Sequence, residues 1–208
     1  MKVLIVAATE AEIMAFAGMR PACADILITG VGMTATAYTL TKKLAANRYD
    51  LVLQAGVGGC FDSSIPLGTV VFVTADRFGD LGAEDHDNYI DIFDMGLLGT
   101  NQPPYRNGML VTPFSTAHSH ITLQQVSGIT VNTVSGNEKT IARRRQYNCT
   151  VESMEGAAFH LVCLQEGVPF AQIRSISNYV LPRDKSTWRM KDAIISLNDW
   201  LIDFTAKL

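Results

Sequence analysis

"V-L-I-V-A-A-T-E-A-E-I-M-A-F-A", Val3 to Ala17, changes its hydrophobic period partway along. Val3 to Ala8 is a continuous apolar run of a length suited to a strand buried on both faces. From Glu10 the apolar positions recur at helical spacing, so the stretch reads as strand, turn and helix. The pattern then repeats. Asp25 to Thr29 is a second buried strand, "G-V-G-M-T" a turn, and Thr34 to Ala46 a helix; Leu51 to Ala55 is a third strand that ends in a "G-V-G-G-C" turn. Buried strands separated by helical segments imply a largely parallel sheet covered on both faces.

Further along, "L-G-T-V-V-F-V-T-A-D" is a strong strand, and the polar, glycine-bearing stretch from Gly79 to Gly108 is long for a structureless connection. It is expected to be a binding loop with short local structure. Ile129 to Val134 reads as a strand, Glu138 to Tyr147 as a helix and Thr150 to Glu152 as a short extended step. Met154, Ala157, Ala158, Leu161 and Val162 share one helical face, Gly167 sits where a C′ glycine belongs, and Pro169 prevents continuation, which predicts a helix from Met154 to Glu166. Phe170 to Ser177 is a strand, "N-Y-V-L-P-R-D-K-S" a loop, and Thr187 to Lys207 an amphipathic helix with Ile194, Leu197, Leu201 and Phe204 along one side. No repeat or linker marks a boundary. The expectation is one domain over residues 1–208, a three-layer α/β/α fold around a central mixed, largely parallel sheet.

The chain has 208 residues, 48% of them apolar, enough for one sizeable core. A formal charge of −3 leaves no basic footprint for phosphate backbones, so nucleic acid is not an expected partner. The basic run Arg143 to Arg145 reads as a solvated helix face. Cys23, Cys60, Cys149 and Cys163 are scattered without a C-x-x-C pair and read as buried thiols in a reducing compartment. The N-terminal apolar run is too short for a secretory segment and no stretch is long enough to span a bilayer; a cytoplasmic chain without a membrane partner is expected.

Several side chains invite chemistry. Glu10 and Glu12 follow the first strand, at the sheet edge where α/β proteins collect ligands. First-turn helix electrostatics explains acids there equally well. Two positions apart, they do not share a helical face, so at most one faces a pocket. "G-V-G-M-T-A" half-matches a dinucleotide fingerprint, but Asp50 precedes the next strand and is wrongly placed to hold a ribose; Gly30 and Gly32 read as tight-turn residues. His118 and His120 lack a third ligand, so no metal site is assigned. There is no G-x-S-x-G elbow, and His160, inside an apolar helix, reads as a satisfied core residue. Glu152 and Glu155, three positions apart at the mouth of that helix, either serve its positive end or hold a carboxylate beside a ligand.

Taken together, "A-A-T-E-A-E" (7–12), "L-Q-A-G-V-G-G-C-F" (53–61), "V-E-S-M-E-G-A-A" (151–158) and "F-A-Q-I-R-S-I-S-N" (170–178) stand in a telling order. Their order and approximate separations resemble those of the nucleoside phosphorylase and nucleosidase superfamily, over almost the whole chain. The Met-Glu-Gly helix start, "S-I-S-N-Y-V-L-P-R-D" and "F-G-D-L-G-A-E-D" are the most specific pieces, and within the superfamily they look most like the futalosine hydrolase branch.

That resemblance implies a nucleoside phosphorylase-like fold and hydrolysis of the N-glycosidic bond of futalosine, releasing hypoxanthine and dehypoxanthine futalosine in menaquinone biosynthesis. It places Glu155 on the ribose hydroxyls, where a carboxylate can accept two hydrogen bonds, and Met154 on the sugar's apolar face. Glu152 is left as a helix-end charge. Glu12 matches the acid that takes a proton from water. Asn178 stands where adenine-cleaving relatives carry aspartate. Its amide can donate to purine N7 or a 6-oxo oxygen but cannot act as an acid. Backbone groups near Ser135 and Gly136 would join it at the leaving base. Gly56, Gly58 and Gly59 would let the backbone approach the ribose. Val57 replaces the hydroxyl residue that holds phosphate in the phosphorylase branch, and the Gly-Asp-Pro-x-Arg loop of that branch is missing. Water is therefore the expected nucleophile, with no cofactor and no metal. Arg77, His86 and Arg106 are weak candidates for the substrate's 5′ arm, each read first as a surface residue. The partner is a small-molecule nucleoside, and the superfamily's habit implies a homodimer or higher homo-oligomer. The alternatives are a methylthioadenosine/adenosylhomocysteine-type or aminodeoxyfutalosine nucleosidase releasing adenine, and a non-catalytic nucleotide-binding module supported by the glycine turns alone.

Overall fold

A computed structural model of the chain describes residues 1–19, 24–86 and 88–208. In chain order its elements are β1 (Val3–Ala7), α1 (Glu10–Gly18), β2 (Ala24–Ile28), α2 (Met33–Ala46), β3 (Leu51–Cys60), β4 (Val70–Phe78), β5 (Gly82–Asp85) and β6 (Asn88–Asp91). There follow β7 (Leu110–Val111), β8 (Gln125–Thr130), α3 (Glu138–Arg145), β9 (Val151–Ser153), α4 (Gly156–Glu166), β10 (Phe170–Tyr179) and α5 (Met190–Thr205). Among the described residues no helix is long and apolar enough to cross a membrane.

Alternation along the buried strands builds the layers. Val3, Ile5 and Ala7 of β1 face the same way as Leu53 and Ala55 of β3 and Ile173 of β10; Ile13 and Phe16 of α1 and Leu197, Leu201 and Phe204 of α5 cover them. Leu4 and Val6 point oppositely, into Leu40 and Leu44 of α2 and Phe159 and Val162 of α4. Each Val, Leu, Ile or Phe among them contributes about 1.5–3 kcal/mol when removed from water, and only the strand–helix alternation serves both layers at once. The expected α/β/α architecture is therefore present. Gly167 ends α4 in the left-handed region at φ 64°, where a residue without Cβ is unstrained.

The sheet is mixed. Parallel ladders join β2 to β1, β1 to β3, β3 to β10, β4 to β8 and β8 to β9, while β10–β4, β3–β9 and β4–β7 are antiparallel. Because β9 returns to β3, the strands β3, β10, β4, β8 and β9 close on themselves around Val71, Val73, Val126, Val151 and Ile176. The 56–59 segment is consequently strand and not the expected turn: β3 runs on through its glycines because β10 pairs with it as far as Tyr179↔Cys60. Gly58 could not carry a side chain there, since a Cβ would lie 2.7 Å from Val151 Cγ1.

Other expectations shift. The strand expected at 129–134 is β8, starting at Gln125, because its ladder with β4 begins at Phe72↔Gln125 and recruits a polar segment that apolar patterning misses. Asn178 and Tyr179 belong to β10 instead of the following loop. The 79–108 stretch contains the antiparallel β5–β6 hairpin. Cys60, Cys149 and Cys163 are buried and unbridged; Cys23 lies outside the described residues. The arginine run is only in part a solvated face: Arg145 is exposed beside the Phe61 ring, but Arg144 is 2% exposed and Arg143 lies half-buried over the Tyr89 ring of the hairpin.

Candidate active site

Glu12 is set by the start of α1. Thr9 is the N-cap and Glu12 sits at the third helical position, the arrangement of a capping box. Its Oε2 accepts from the Thr9 N–H (3.1 Å) and hydroxyl (3.0 Å), while Oε1 accepts from the Val57 N–H at 3.1 Å. Glu10 is exposed, so the pair divides as its spacing requires.

Val57 contributes through its backbone. Its N–H goes to Glu12 and its carbonyl accepts from Arg174 Nη1 at 3.3 Å. The neighbouring Gly56 marks the gap between these charges, since a Cβ built there would lie 2.6 Å from Arg174 Nη1 and 2.9 Å from Glu12 Oε1. Glycine is what lets the two charged groups close on the strand at that point.

Glu155 is the N-cap of α4, which begins at Gly156, two residues later than the expected start at Met154. Its Oε1 accepts from the Gly32 N–H at 3.1 Å, and its Oε2 pairs with Arg174 Nη1 at 3.3 Å. Gly32 holds φ 94°, a conformation that aims its N–H at the carboxylate and that an L side chain would strain. Gly30 and Gly32 are thus turn residues as read, and Gly32 also reaches the site.

Arg174 is the residue the motifs did not single out. It is 2% exposed and spends its guanidinium on Glu155, Gln54 Oε1 (3.0 Å), Gln172 Oε1 (3.1 Å) and Val57 O. An arginine centred in an apolar strand was itself a signal, because a buried charge survives only when paired.

Asn178 lies beyond a register shift in β10, with Nδ2 3.2 Å from the position of a Cβ on Gly59. Nδ2 donates to the Tyr179 carbonyl (3.1 Å), and Oδ1 faces the Ser177 hydroxyl (2.8 Å). A carbonyl accepts only, so these neighbours fix the amide and leave one N–H uncommitted. Met154 is half-buried beside Glu155.

The second acid of the opening pair does something else. Glu152 lies on β9 with 4% exposure and is not a helix-end charge. It accepts from the Ser135 N–H (2.7 Å), the Ser135 hydroxyl (2.6 Å) and Arg144 Nη1 (3.0 Å). The Ser135 N–H expected at a leaving base is therefore committed to Glu152. The Gly136 carbonyl accepts from the Arg183 N–H at 3.1 Å, tying the loop after β10 to this turn. Of the 5′-arm candidates, Arg77 is no surface residue: it pairs with Asp91 at 2.9 Å and stacks 3.8 Å from the Tyr147 ring centroid. His86 and Arg106 are exposed. His160 is a satisfied core residue, with Nδ1 2.9 Å from the Leu110 carbonyl. Among the described residues no group of three His, Cys, Asp or Glu could hold a metal ion.

Residues 24–199 match the family model of the phosphorylase superfamily. The chain belongs to the phosphorylase superfamily. Among superfamily relatives, the futalosine hydrolase of Streptomyces coelicolor is 34% identical over 184 residues, covering 84% of this chain and 75% of its own. That of Thermus thermophilus is 30% identical over 88% of this chain and 82% of its own. The same fold is seen in the solved 5′-methylthioadenosine/S-adenosylhomocysteine nucleosidase of Colwellia psychrerythraea, with TM-score 0.80 and 22% identity over 100% of this chain and 96% of that one.

Proposed function

We propose that the protein is an N-glycosyl hydrolase that cleaves futalosine to hypoxanthine and dehypoxanthine futalosine, with Glu12 as the base for water. One observation carries the reading: Glu12, the Val57 backbone, Arg174 and Glu155 form one bonded cluster closed against Gly56. The choice of substrate is supported by the relatives named futalosine hydrolase.

The cluster separates water from phosphate. The Val57 side chain cannot donate, its N–H is already held by Glu12, and the carboxylate there repels an anion. A neutral water meets no such penalty. In the proposed step Glu155 grips the ribose diol, the bond from C1′ to the purine nitrogen breaks with its electron pair passing to the base, and the site favours the oxocarbenium-like sugar electrostatically. The water oxygen then bonds to C1′ and its proton passes to Glu12. Asn178 donates a hydrogen bond from its uncommitted N–H to N7 or the 6-oxo oxygen of the leaving purine anion, which takes a proton from solvent as Glu12 gives its own back, so that neutral hypoxanthine leaves. A cytoplasmic homodimer or higher homo-oligomer completes the reading.

The test is release of free base from futalosine, followed chromatographically with and without phosphate. Hypoxanthine release at a rate indifferent to phosphate is expected. A requirement for phosphate, or faster release of adenine from methylthioadenosine or aminodeoxyfutalosine, overturns the assignment.

A further inference from the structure

Behind the cluster lies a second layer of polar groups, all out of contact with solvent. Asp76, Thr130, His160 and Gln172 are each 0% exposed. Gln172 and Arg174, two apart on β10, share a face. The Gln172 carbonyl oxygen accepts from Arg174 Nε at 3.1 Å, and Nε2 donates to Asp76 Oδ2 at 2.9 Å and lies 3.0 Å from His160 Nε2. His160 Nδ1 is committed to the Leu110 carbonyl, so Nε2 is the acceptor, and both N–H groups and the oxygen of the Gln172 amide have a partner. That amide cannot flip without setting donor against donor.

The other oxygen of Asp76 is bonded to Thr130. Oδ1 accepts from the Thr130 hydroxyl at 2.9 Å, and Thr130 Oγ1 accepts from the Ala157 N–H at 2.7 Å, in the first turn of α4, whose N-cap is Glu155. A side chain on Gly156 would collide with Asp76 Oδ2, so the carboxylate sits directly beneath the helix start, where the helix end favours negative charge.

We propose that Asp76 is the hub of a positioning relay, setting Arg174 through Gln172 and the Glu155-bearing end of α4 through Thr130. This deepens, and rests on, the nucleosidase reading of the site. None of these three side chains touches the reacting atoms; each acts through Arg174 or Glu155.

The two arms separate kinetically. Gln172→Met strips the acceptor from Arg174 Nε and lowers kcat for futalosine about 10- to 100-fold, the worth of one hydrogen bond to a charged group, with KM within about threefold. Thr130→Val loosens Glu155 and raises KM about 5- to 20-fold while kcat changes less. Asp76→Asn keeps an acceptor for Thr130 but turns an amide N–H towards Gln172, flipping it and reproducing the Gln172→Met pattern. In the double variant that joins Asp76→Asn to Gln172→Glu, the new carboxylate accepts from Arg174 and from the amide at position 76, with His160 taking a proton to donate to it; kcat recovers at least about tenfold over Asp76→Asn. A second readout needs no turnover: the Arg174 Nε–H resonance in nitrogen-15 spectra shifts and exchanges faster in Asp76→Asn, and reverts in the double variant. Losses of kcat and KM that merely track melting temperature in all variants, or an Arg174 resonance indifferent to Asp76→Asn, overturn the relay. If Gln172→Met does not fold, the near-isosteric Asp76→Asn decides. If wild type releases no hypoxanthine, the functional reading fails and the resonance alone judges the relay.

Discussion

Glu155→Gln removes one charge without changing shape, and its consequences follow from the carboxylate's two partners. Oε2 pairs with Arg174, and the two side chains are 6% and 2% exposed. Taking away one member of a buried ion pair costs about 3–5 kcal/mol because the other charge is stranded. Arg174 retains three neutral acceptors, on Gln54, Val57 and Gln172, which hold the loss to the lower end, about 3 kcal/mol. For a domain of this size that is a fall in melting temperature of roughly 6–12 °C. The catalytic cost is separate. If Glu155 accepts from both ribose hydroxyls, each bond to the charged carboxylate is worth about 1.5–3 kcal/mol, so kcat/KM falls about 10²- to 10⁴-fold. Thermal melts give the first number; hypoxanthine release from futalosine and from its 2′-deoxy analogue gives the second. The deoxy compound is a poorer substrate for wild type, and the gap narrows in Glu155→Gln because the partner of the missing hydroxyl has already been weakened. An undiminished gap, or a variant turning over futalosine at the wild-type rate, refutes the role of Glu155.

Three further outcomes are expected. Glu12→Gln lowers kcat about 10²- to 10⁴-fold with little change in substrate affinity, measured by initial rates; near-normal turnover removes the proposed base. Asn178→Asp moves preference from the 6-oxo towards the 6-amino purine, read as the ratio of hypoxanthine to adenine released from futalosine and its 6-amino analogue. The third concerns pH. Burial lowers the His160 pKa from 6.5 to about 3, so the unfolded chain takes up a proton first and stability falls as pH drops through that window. Burial raises Asp76 from 3.8 to about 6, against the lowering effect of its hydrogen bonds; here the native state takes the proton first and stability rises as pH falls from 6 to 3.8. The opposed slopes offset one another in the shared window. Asp76→Asn exposes the His160 slope, so between pH 6 and 4.5 urea titrations should show the variant losing about 1.4 kcal/mol per pH unit more than wild type.

Local pattern carried the layers. The period of Val3 to Ala17 and its repeats established which segments are strand and which helix, because burial on both faces demands continuous apolar strands and one-sided helices. Gly167 and Pro169 marked the end of α4 for equally local reasons. The partition of Glu10 from Glu12 followed from helical spacing alone. The resemblance of their motifs singled out Glu12, Glu155 and Asn178, of which the structure joins Glu12 and Glu155 through Val57 and Arg174 while Asn178 stands beside Gly59, and an arginine inside the apolar β10 was a signal in plain view.

What only the tertiary structure decided are the partnerships. Glu152 and Glu155 look alike in sequence, yet one is locked to Arg144 and Ser135 and the other to Arg174 and Gly32. Gly56 to Gly59 resemble a turn until β10 and β9 are seen pairing along them. The physical reason is range: side-chain period and capping act within a few residues, whereas the hydrogen bonds, ion pairs and ladder bonds that aim this site join groups as far apart in the chain as Gly32 and Glu155. Closure of the sheet, which no single segment specifies, is what brings them together.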